Sequence, residues 1–386
     1  MFFVHPDIRK AESLPAEAFT YPEFLNLELQ TIFTRAWLPV PERSQQELRN
    51  DPRGVEEIVR LRGARVPFTL LERPLFLQRD WRGKLHCFPN VCTHAWYPLI
   101  HGLARERSIT CGQHGRQFDC EGRFVSQTGF DDVKGFPRES DSLRDLPVEQ
   151  WLRFIFINLG RPVASFRRFF GKMGETTTQI LDQPLKLVTN ATEMREVDGN
   201  WKQHACNYMD RFHIRYMHRA PGGLADAIDL PSYQTELYPL SSLQWVYARN
   251  ADHGFAPKTL PPRFRDASSP SKRVFALWWF IFPNMTFNFY PWGLSVNVYM
   301  PIRDKPEKTM FFWYHYVLDE EKYDLRNEMW LNEQVDNEDV DAMTQVRRGV
   351  HSGFAPRGRF APREETGPHW LQNLIYEMIF ENARLT

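Results

Sequence analysis

Two short Cys–His pairs are the part of the chain best suited to binding a metal. One residue separates Cys92 from His94, and two residues separate Cys111 from His114 further along. Two thiolates and two imidazoles can hold a tetrahedral zinc ion. They can equally hold a [2Fe–2S] cluster in which two histidines ligate one of the irons. Each pair adjoins a predicted strand, so two loops would close on one group from opposite sides, which favours the cluster over zinc.

A second group of candidate ligands lies in the predicted helix Asn200–His218. Asp210 and His213 share a face of this helix because they are three residues apart. His218 lies five residues beyond His213, which is about 140° further round an ideal helix. Joint ligation by the two histidines therefore predicts a break or bulge near residues 214–217. Two imidazoles and one carboxylate form the facial triad of non-haem Fe(II) oxygenases, which leaves positions open for dioxygen and substrate.

The carboxylate of such a triad has several candidates on the acidic helix predicted for Asn332–Met343. They are Glu333, Asp336, Glu338, Asp339 and Asp341. An acidic helix is more commonly a solvated face. A cluster motif in the same chain makes a metal ligand the better interpretation here, although periodicity does not choose among the five.

The composition is that of a folded protein. Of its residues, 42% are hydrophobic and 25% are charged. The length of 386 residues predicts two to three domains. Its 48 basic and 48 acidic residues cancel, which argues against nucleic-acid binding. We expect no transmembrane helix, because no apolar run reaches about 18 residues, and no secretory signal at the start. Five sparse cysteines fit a reducing cytoplasm rather than a disulfide framework.

Periodicity and turn residues predict the secondary structure. Besides Asn200–His218, helices are predicted at Tyr21–Ala36, 164–185, 320–350 and Thr366–Ala383. Strands are predicted at Val66–Leu71, Pro74–Gln78, Lys84–Asn90, Ile109–Cys111, Arg116–Asp119, Phe154–Asn158, Val274–Phe282, Met285–Tyr290, Leu294–Met300 and Thr309–Leu318. Residues 219–272, rich in Pro, Ser and Gly, are predicted to be mostly loops. Polar and apolar residues alternate over Ser295–Tyr299, which is typical of a half-buried antiparallel strand.

These residues together resemble the catalytic α subunit of a Rieske non-haem iron oxygenase. The family's cluster motif is matched by Cys92, His94, Cys111 and His114. Its catalytic motif, N-W-K followed by E/D-x2-H-x4-H, is similar to the segment Asn200–His218. The resemblance implies that the four cluster-motif residues bind a [2Fe–2S] Rieske cluster.

The same resemblance implies roles in the catalytic segment. His213 and His218 would ligate a mononuclear Fe(II). Asp210 would be the electron-transfer bridge that links the two metal centres across a subunit boundary. Asn337-Glu338-Asp339 resembles the segment that carries the family's ligating aspartate, so Asp339 is the expected third ligand.

Within the family, the chain is most similar to the branch of choline monooxygenase and glycine-betaine demethylase-like enzymes. The segments that carry this similarity are Phe282–Asn284, Asn288–Ser295, Gly358–Pro362 and His114–Phe118. The chain departs from the family at Ala95-Trp96, where Arg-Gly is usual, and at Gln113, where Tyr is usual. These positions adjoin cluster ligands, where neighbouring groups tune a metal site.

The resemblance implies an α+β fold. An all-β Rieske [2Fe–2S] domain would be inserted in a catalytic domain with a large antiparallel sheet packed by helices, of the helix-grip, Bet v 1-like type. The expected domains are residues 1–36, an N-terminal helical segment of the catalytic domain, residues 37–163, the Rieske domain, and residues 164–386, the mononuclear iron domain.

The implied activity is that of a terminal oxygenase. An NAD(P)H-dependent reductase, with or without a ferredoxin, would supply electrons to the cluster, and the mononuclear iron would use O2 to hydroxylate, dihydroxylate or oxidatively demethylate a small organic substrate. The expected assembly is a cytoplasmic homotrimer. The alternative is a Rieske electron carrier without oxygenase activity.

The expected pocket is aromatic. Its predicted lining is Tyr208, Phe212, Trp278, Phe287, Phe289 and Trp292. Such a lining suits a quaternary ammonium group through cation–π attraction, and it equally suits a planar aromatic substrate of a ring-hydroxylating enzyme through apolar burial.

Overall fold

The computed structural model describes residues 3–42, 53–181, 184–188, 193–318, 323 and 327–381, with backbone only for 327–333. Its α-helices are α1 (Glu17–Thr20), α2 (Pro22–Glu28), α3 (Val55–Val59), α4 (Phe166–Thr177), α5 (Trp201–Met209), α6 (Ile214–Met217), α7 (Leu224–Ala227), α8 (Asn327–Val350) and α9 (Thr366–Tyr376). Short π-helical segments, Leu29–Phe33 and Glu377–Glu381, continue α2 and α9. Within these residues no helix combines the length and apolar character that a membrane crossing needs.

The strands divide between two compact units, Thr34–Pro162 and Met1–Phe33 with Val163–Thr386. Those of the smaller unit are β1 (Leu38–Pro39), β2 (Ala64–Leu70), β3 (Arg73–Arg79), β4 (Leu85–Pro89), β5 (Ala104–Arg105), β6 (Ser108–Thr110), β7 (Gln117–Asp119), β8 (Phe124–Ser126), β9 (Val148–Trp151) and β10 (Phe154–Ile157). Those of the larger unit are β11 (Lys186–Leu187), β12 (Glu193–Asp198), β13 (Gln234–Leu237), β14 (Ser241–Tyr247), β15 (Val274–Ile281), β16 (Met285–Tyr290), β17 (Gly293–Ile302) and β18 (Lys305–Val317).

The smaller unit consists of three antiparallel sheets, with strand orders β1-β10-β9, β4-β3-β2-β5 and β6-β7-β8. One of its cores is formed by aromatic and aliphatic side chains from the last two sheets, among them Phe76, Phe88 and Phe118. Cys92 and Cys111 belong to this same buried cluster. Both cysteines of the metal-binding motif are therefore anchored in a packed interior.

One eight-stranded antiparallel sheet forms the frame of the larger unit. Its order is β11-β18-β17-β16-β15-β14-β13, and β12 pairs with the same edge of β18 as β11. The sequence of β15, Val-Phe-Ala-Leu-Trp-Trp-Phe-Ile, is buried at every position. A strand without polar alternation indicates a sheet that is covered on both faces.

Different helices cover the two faces of this sheet. On one face the ring of Phe287 in β16 makes an edge-to-face contact with Phe170 of α4. On the other face the next residue, Asn288, accepts a hydrogen bond of 2.5 Å from the Tyr208 hydroxyl of α5. Because successive strand residues point to opposite faces, β16 is apolar towards α4 and mixed towards α5.

The alternating segment Ser295–Tyr299 is a strand, as predicted, but it is not half-exposed. All of its residues are buried. The polar face that the sequence suggested would meet solvent points instead into the space between the sheet and α5, where Ser295 and Asn297 line a pocket. Polar side chains on a buried strand face thus mark a pocket here.

The predicted helix Asn200–His218 is wrong in its length. Its start is well specified, because the Asn200 side chain accepts a hydrogen bond from the Lys202 backbone N–H and Gln203 bonds back to the Asn200 N–H, forming a capping box. It ends at Met209, and Asp210 has an extended backbone (φ −89°, ψ 110°). The break therefore comes before His213, whereas residues 214–217, where it was predicted, form the helical turn α6.

Most of the other predicted elements are confirmed, including the six strands predicted before residue 160 and the four after 273. The prediction of loops over 219–272 is wrong in part, because β13 and β14 lie there and extend the large sheet. The polar residues of β14, such as Gln244, are buried, and this hid the strand from pattern analysis. Parts of the helices predicted for 320–350 and Thr366–Ala383 lie outside the described residues.

A buried ion pair fixes the start of α5 against α2. Lys202 Nζ lies 2.7 Å from Glu28 Oε1, and both side chains are fully buried. The Trp201 indole donates to the other Glu28 oxygen at 2.9 Å. Burial raises the pKa of Glu28 and lowers that of Lys202, so each group depends on the other to be tolerated in the interior.

We expect Lys202→Met to lower the free energy of unfolding by about 3 kcal/mol, because it leaves the Glu28 carboxylate buried without its cation. Lys172→Met is the matched control, since Lys172 is exposed and pairs with Glu175 on the surface of α4, where such pairs contribute under about 1 kcal/mol. Urea midpoints of the two variants measure the difference. Equal midpoints would contradict a structural role for the buried pair.

Candidate metal centres and substrate pocket

Each Cys–His pair lies on a tight loop that is closed by its own backbone. In the first loop the Cys92 N–H donates to the Tyr97 carbonyl at 2.8 Å, and the Trp96 N–H donates to the Cys92 carbonyl at 3.0 Å. In the second loop, between β6 and β7, the Cys111 N–H donates to the Arg116 carbonyl at 2.8 Å. These bonds curl each loop around its cysteine.

The four side chains fit a two-iron cluster. The rings of His94 and His114 lie with their centroids 4.8 Å apart, and both cysteines are buried. His94 Nδ1 is buried and has no hydrogen-bond partner among the described residues, as a nitrogen reserved for a metal would be. Burial raises the pKa of Cys92, while backbone N–H groups of His94 and Ala95 act against this by favouring its thiolate.

A single zinc ion fits the same residues less well. In the described part of the chain, only His213, His218 and Asp339 bring three ligand atoms within 4.8 Å of one another. The four Cys and His residues do not converge in that way, whereas a [2Fe–2S] cluster distributes its ligands over two metal atoms. The donor set therefore favours the cluster.

The second candidate centre is created by the early end of α5. His213 precedes the single turn α6 and His218 follows it, so the turn carries both rings to the same side. Their Nε2 atoms lie 3.1 Å apart. Asp339, on α8, places its Oδ1 3.2 Å from His218 Nε2 and 3.5 Å from His213 Nε2.

These distances fit an octahedral metal ion. Ligand bonds of about 2.1 Å at right angles leave neighbouring donor atoms about 3 Å apart. Two imidazole nitrogens and one carboxylate oxygen on one face leave the opposite positions free for other ligands, and this is the donor set of non-haem Fe(II) sites. The geometry and the chemistry of the donors both fit a mononuclear iron.

The remaining ring nitrogens contact carboxylates. Glu338 Oε2 lies 2.6 Å from His218 Nδ1, and Asp210 Oδ2 lies 3.3 Å from His213 Nδ1. Such contacts fix the tautomer and orientation of a ligating histidine. Burial acts to lower the pKa of His218, but Asp339 and Glu338 outweigh it and raise that pKa to about 8, so the site favours positive charge.

Asp210 occupies the junction between α5 and this centre. One carboxylate oxygen accepts the Phe212 N–H at 2.6 Å and the other faces His213. Its side chain is 19% exposed, so part of the carboxylate remains accessible to a group outside this chain. Asp210 is thus in contact with a candidate ligand on one side and with solvent on the other.

The five acidic candidates on the helix of Asp339 have separate surroundings. Glu338 bonds to His218, Asp336 lines the pocket, and Asp341 is exposed. The side chain of Glu333 lies outside the described residues. No role beside Asp339 was predicted for Glu338 or Asp336. The three-residue spacing from Asp336 to Asp339, which places both on one helix face, was the available signal.

A pocket of about 730 Å³, its mouth included, opens beside these histidines. Its aromatic lining is Tyr208, Tyr233, Phe275, Trp278, Tyr290 and Tyr299. Polar groups of Asn288, Ser295 and Asn297 lie on the sheet side. Asp336 receives the Asn297 side-chain N–H at 3.3 Å, and its burial, together with the charge of Asp339, raises its pKa to about 8.

The predicted aromatic lining is right for Tyr208 and Trp278 and wrong for the other four residues. Phe287 and Phe289 point to the opposite face of β16, Trp292 packs in the core, and Phe212 is 38% exposed. The residues that were missed include Tyr290 and Tyr299, which share a face with Asn288 and Asn297. Strand alternation from those polar residues could have identified them.

The sequence is similar to two known families. Residues 185–381 match the ring hydroxylating alpha subunit (catalytic domain), and residues 53–137 match the Rieske [2Fe-2S] domain. The chain is 26% identical to the chloroplastic choline monooxygenase of Arabidopsis thaliana over 382 residues, which cover 94% of this chain and 82% of the relative. It is also 26% identical to the carnitine monooxygenase oxygenase subunit of Acinetobacter pittii over 362 residues, covering 93% and 90%.

Solved structures have the same fold. A quaternary ammonium Rieske monooxygenase, CntA, in complex with an inhibitor, superposes with a TM-score of 0.75 at 22% identity and covers 98% of this chain and 99% of its own. Naphthalene 1,2-dioxygenase with bound indole superposes with a TM-score of 0.66 at 16% identity, covering 95% and 92%.

We expect Asp339→Ala to abolish Fe(II) binding at the histidine site, because two neutral imidazoles hold the ion weakly without an anion. Glu338→Gln should weaken Fe(II) binding about 10- to 100-fold, the usual cost of losing an outer carboxylate on a ligating histidine. Asp341→Ala, which changes an exposed acid on the same helix, is the control. Calorimetric Fe(II) titration of protein freed of mononuclear metal measures all three.

If Asp341→Ala or Asp336→Ala abolished iron binding while Asp339→Ala did not, Asp339 would be the wrong carboxylate. The visible spectrum of the cluster should stay unchanged in every variant.

Proposed function

Because the chain belongs to the ring hydroxylating alpha subunit family, we propose that it is a monooxygenase subunit that oxidises a small ammonium compound. The cluster would be held by Cys92, His94, Cys111 and His114, and the iron by His213, His218 and Asp339. The supporting observation is an aromatic pocket that carries a carboxylate and opens directly beside the histidine pair.

The family assignment confirms the predicted α subunit of a Rieske non-haem iron oxygenase and its fold class. The chain is the terminal oxygenase of a Rieske system, with a [2Fe–2S] cluster and a mononuclear iron as cofactors. The alternative of an electron carrier without oxygenase activity is set aside, because the match extends over the catalytic domain. We propose a catalytic domain formed by residues 1–36 and 164–386 around a Rieske domain of 37–163.

When bound, the iron supplies the means to activate O2, so that one oxygen atom enters a substrate C–H bond while the other leaves as water. Two electrons and two protons balance this reaction, and we propose that an NAD(P)H-dependent reductase, with or without a ferredoxin, supplies the electrons. Hydroxylation of an N-methyl carbon would give a carbinolamine that releases formaldehyde, which is an oxidative demethylation.

The pocket favours a cationic substrate. Trp278 and several tyrosines line the pocket, and cation–π attraction between such rings and an ammonium group contributes about 0.5 to 2 kcal/mol according to desolvation. Asp336 adds a carboxylate whose ionised form a bound cation would stabilise. Two relatives are choline and carnitine monooxygenases, whose substrates carry quaternary ammonium groups.

Substrate charge can be tested with a matched pair of ligands. Choline and its carbon isostere, in which C(CH3)3 replaces N(CH3)3, have nearly the same shape and differ in charge. We expect choline to bind about tenfold more tightly, from cation–π attraction and the Asp336 carboxylate together, and Asp336→Asn to remove the part of that preference that the carboxylate supplies. Calorimetric dissociation constants measure it, with Asp252→Asn, an exposed acid of the same unit, as control.

Equal affinity for the two ligands would overturn the cationic substrate. Unchanged preference in Asp336→Asn would remove this residue from the proposal and leave the aromatic rings as its basis.

We propose that Asp210 is the electron-transfer bridge and that the enzyme is a homotrimer. A carboxylate that contacts one ligating imidazole and remains partly exposed can accept a hydrogen bond from a second imidazole on a neighbouring chain. One structural relative is described as using inter-subunit electron transfer. We further propose a cytoplasmic location, consistent with five cysteines of which none forms a disulfide.

We expect Asp210→Asn to retain both metal centres and lose turnover by at least about 100-fold, because the amide has one acceptor oxygen where the carboxylate has two. Asp226→Asn, at an exposed acid within α7, should behave like the unchanged enzyme. Rapid-mixing measurement of cluster oxidation in the presence of substrate separates slow electron transfer from loss of iron.

Mixed trimers test whether the path crosses between chains. Co-assembly of Asp210→Asn chains with Cys92→Ser chains should restore part of the activity, because an intact cluster then faces an intact Asp210 at some interfaces. Verified mixed oligomers without any recovery would contradict a path between subunits.

A further inference from the structure

The backbone hydrogen bonds described above connect residues within each ligand loop and do not join one loop to the other. The bonds from Cys92 and Trp96 stay within the first loop, and those from Cys111 and Gly115 stay within the second. A cluster that spans two loops needs a fixed spacing between them, since its ligands come from both.

Arg116, two residues after His114, connects the loops. Its Nη1 donates to Thr93 Oγ1 at 2.9 Å and to Asp141 Oδ1 at 3.0 Å, and its Nε donates to Gln127 Oε1 at 2.7 Å. Thr93 lies between the two candidate ligands of the first loop. The guanidinium of the second loop is therefore bonded directly to the first.

The partners of Arg116 lead back to the same loops. Gln127 donates its side-chain N–H to the His114 carbonyl at 3.0 Å. The Thr93 hydroxyl donates to the Asp141 carbonyl at 2.7 Å. The hydrogen-bond network therefore links Arg116 to both ligand loops. The planar guanidinium suits this position because its N–H groups can donate several hydrogen bonds at once.

The position of Arg116 is also unusual in its burial. Only 1% of the residue is exposed, and the rings of Phe124, Phe130 and Phe136 lie 5.3 to 5.5 Å from its guanidinium carbon. Phe130 in turn packs edge-on against His94 at 5.2 Å. A buried guanidinium is costly unless it is paired and fully bonded, so stability alone gives little reason for it to be there.

We propose that Arg116 is a positioning residue for the cluster. It fixes the spacing of the two ligand loops, and its guanidinium offsets the Asp141 carboxylate, whose negative charge would otherwise disfavour the reduced, more negative cluster. Net charge and nearby hydrogen bonds are among the factors that set the potential of an iron–sulfur cluster. The inference rests on the proposed cluster ligands and adds a residue to them.

Three variants separate the two effects of Arg116. R116K keeps the charge and loses the fork, R116M loses both, and T93V removes the acceptor on the first loop. Arg123→Met is the matched control, because Arg123 is an exposed arginine on the neighbouring turn between β7 and β8. The readouts are the rate of loss of visible absorbance under an iron chelator and the reduction potential from a titration followed by circular dichroism.

We expect about tenfold faster cluster loss in R116M, a smaller acceleration in R116K and T93V, and no change in Arg123→Met. The potential should fall in R116M and stay near that of the unchanged protein in R116K. If R116M accumulates without a cluster, the cluster lifetimes of R116K and T93V test the proposal instead. Normal lifetimes in both of these variants would overturn it. Unchanged lifetime and potential in R116M would overturn it as well. An unsubstituted protein without a [2Fe–2S] spectrum would instead refute the cluster ligands themselves.

Discussion

The catalytic unit depends on one interruption of a helix. If α5 continued past Met209, His213 and His218 would point in directions about 140° apart. The extended backbone at Asp210 ends the helix, and the single turn α6 then brings the two Nε2 atoms within 3.1 Å. The first turn of α9 packs closely against this end of α5. Only a glycine fits at position 367, since a Cβ there would lie 2.7 Å from Met209 Cβ. The capped and ion-paired start of α5 fixes its other end.

Contacts with α5 and α8 explain why the large sheet carries polar side chains on part of a buried face. Tyr208 on α5 bonds to Asn288 on β16, and Asn297 on β17 bonds to Asp336 on α8. These contacts satisfy polar groups that would otherwise be costly in an interior. They also hold sheet and helices around the pocket. The polar residues that stabilise this face are therefore the ones that line the pocket.

Sequence patterns predicted the features that local chemistry determines. The spacing of Cys92, His94, Cys111 and His114 indicated two ligand loops, and apolar runs indicated most strands of both units. Tertiary structure determined the rest. The strand β14 was missed because its polar residues are buried, and the contacts of Glu338 and Arg116 were missed because each has a partner distant in the sequence. The end of α5 at Met209 was placed too late for the same reason.

The most consequential prediction is that a single chain holds two separate metal centres of different composition. Iron and acid-labile sulfide analysis of the purified, anaerobically reconstituted protein tests it most directly, combined with the EPR spectrum of the reduced protein. A Rieske cluster contributes two irons and two sulfides, and the triad contributes one further iron. We expect about three irons and two sulfides per chain with a Rieske EPR signal. Two irons per chain, or a colourless zinc protein, would contradict it.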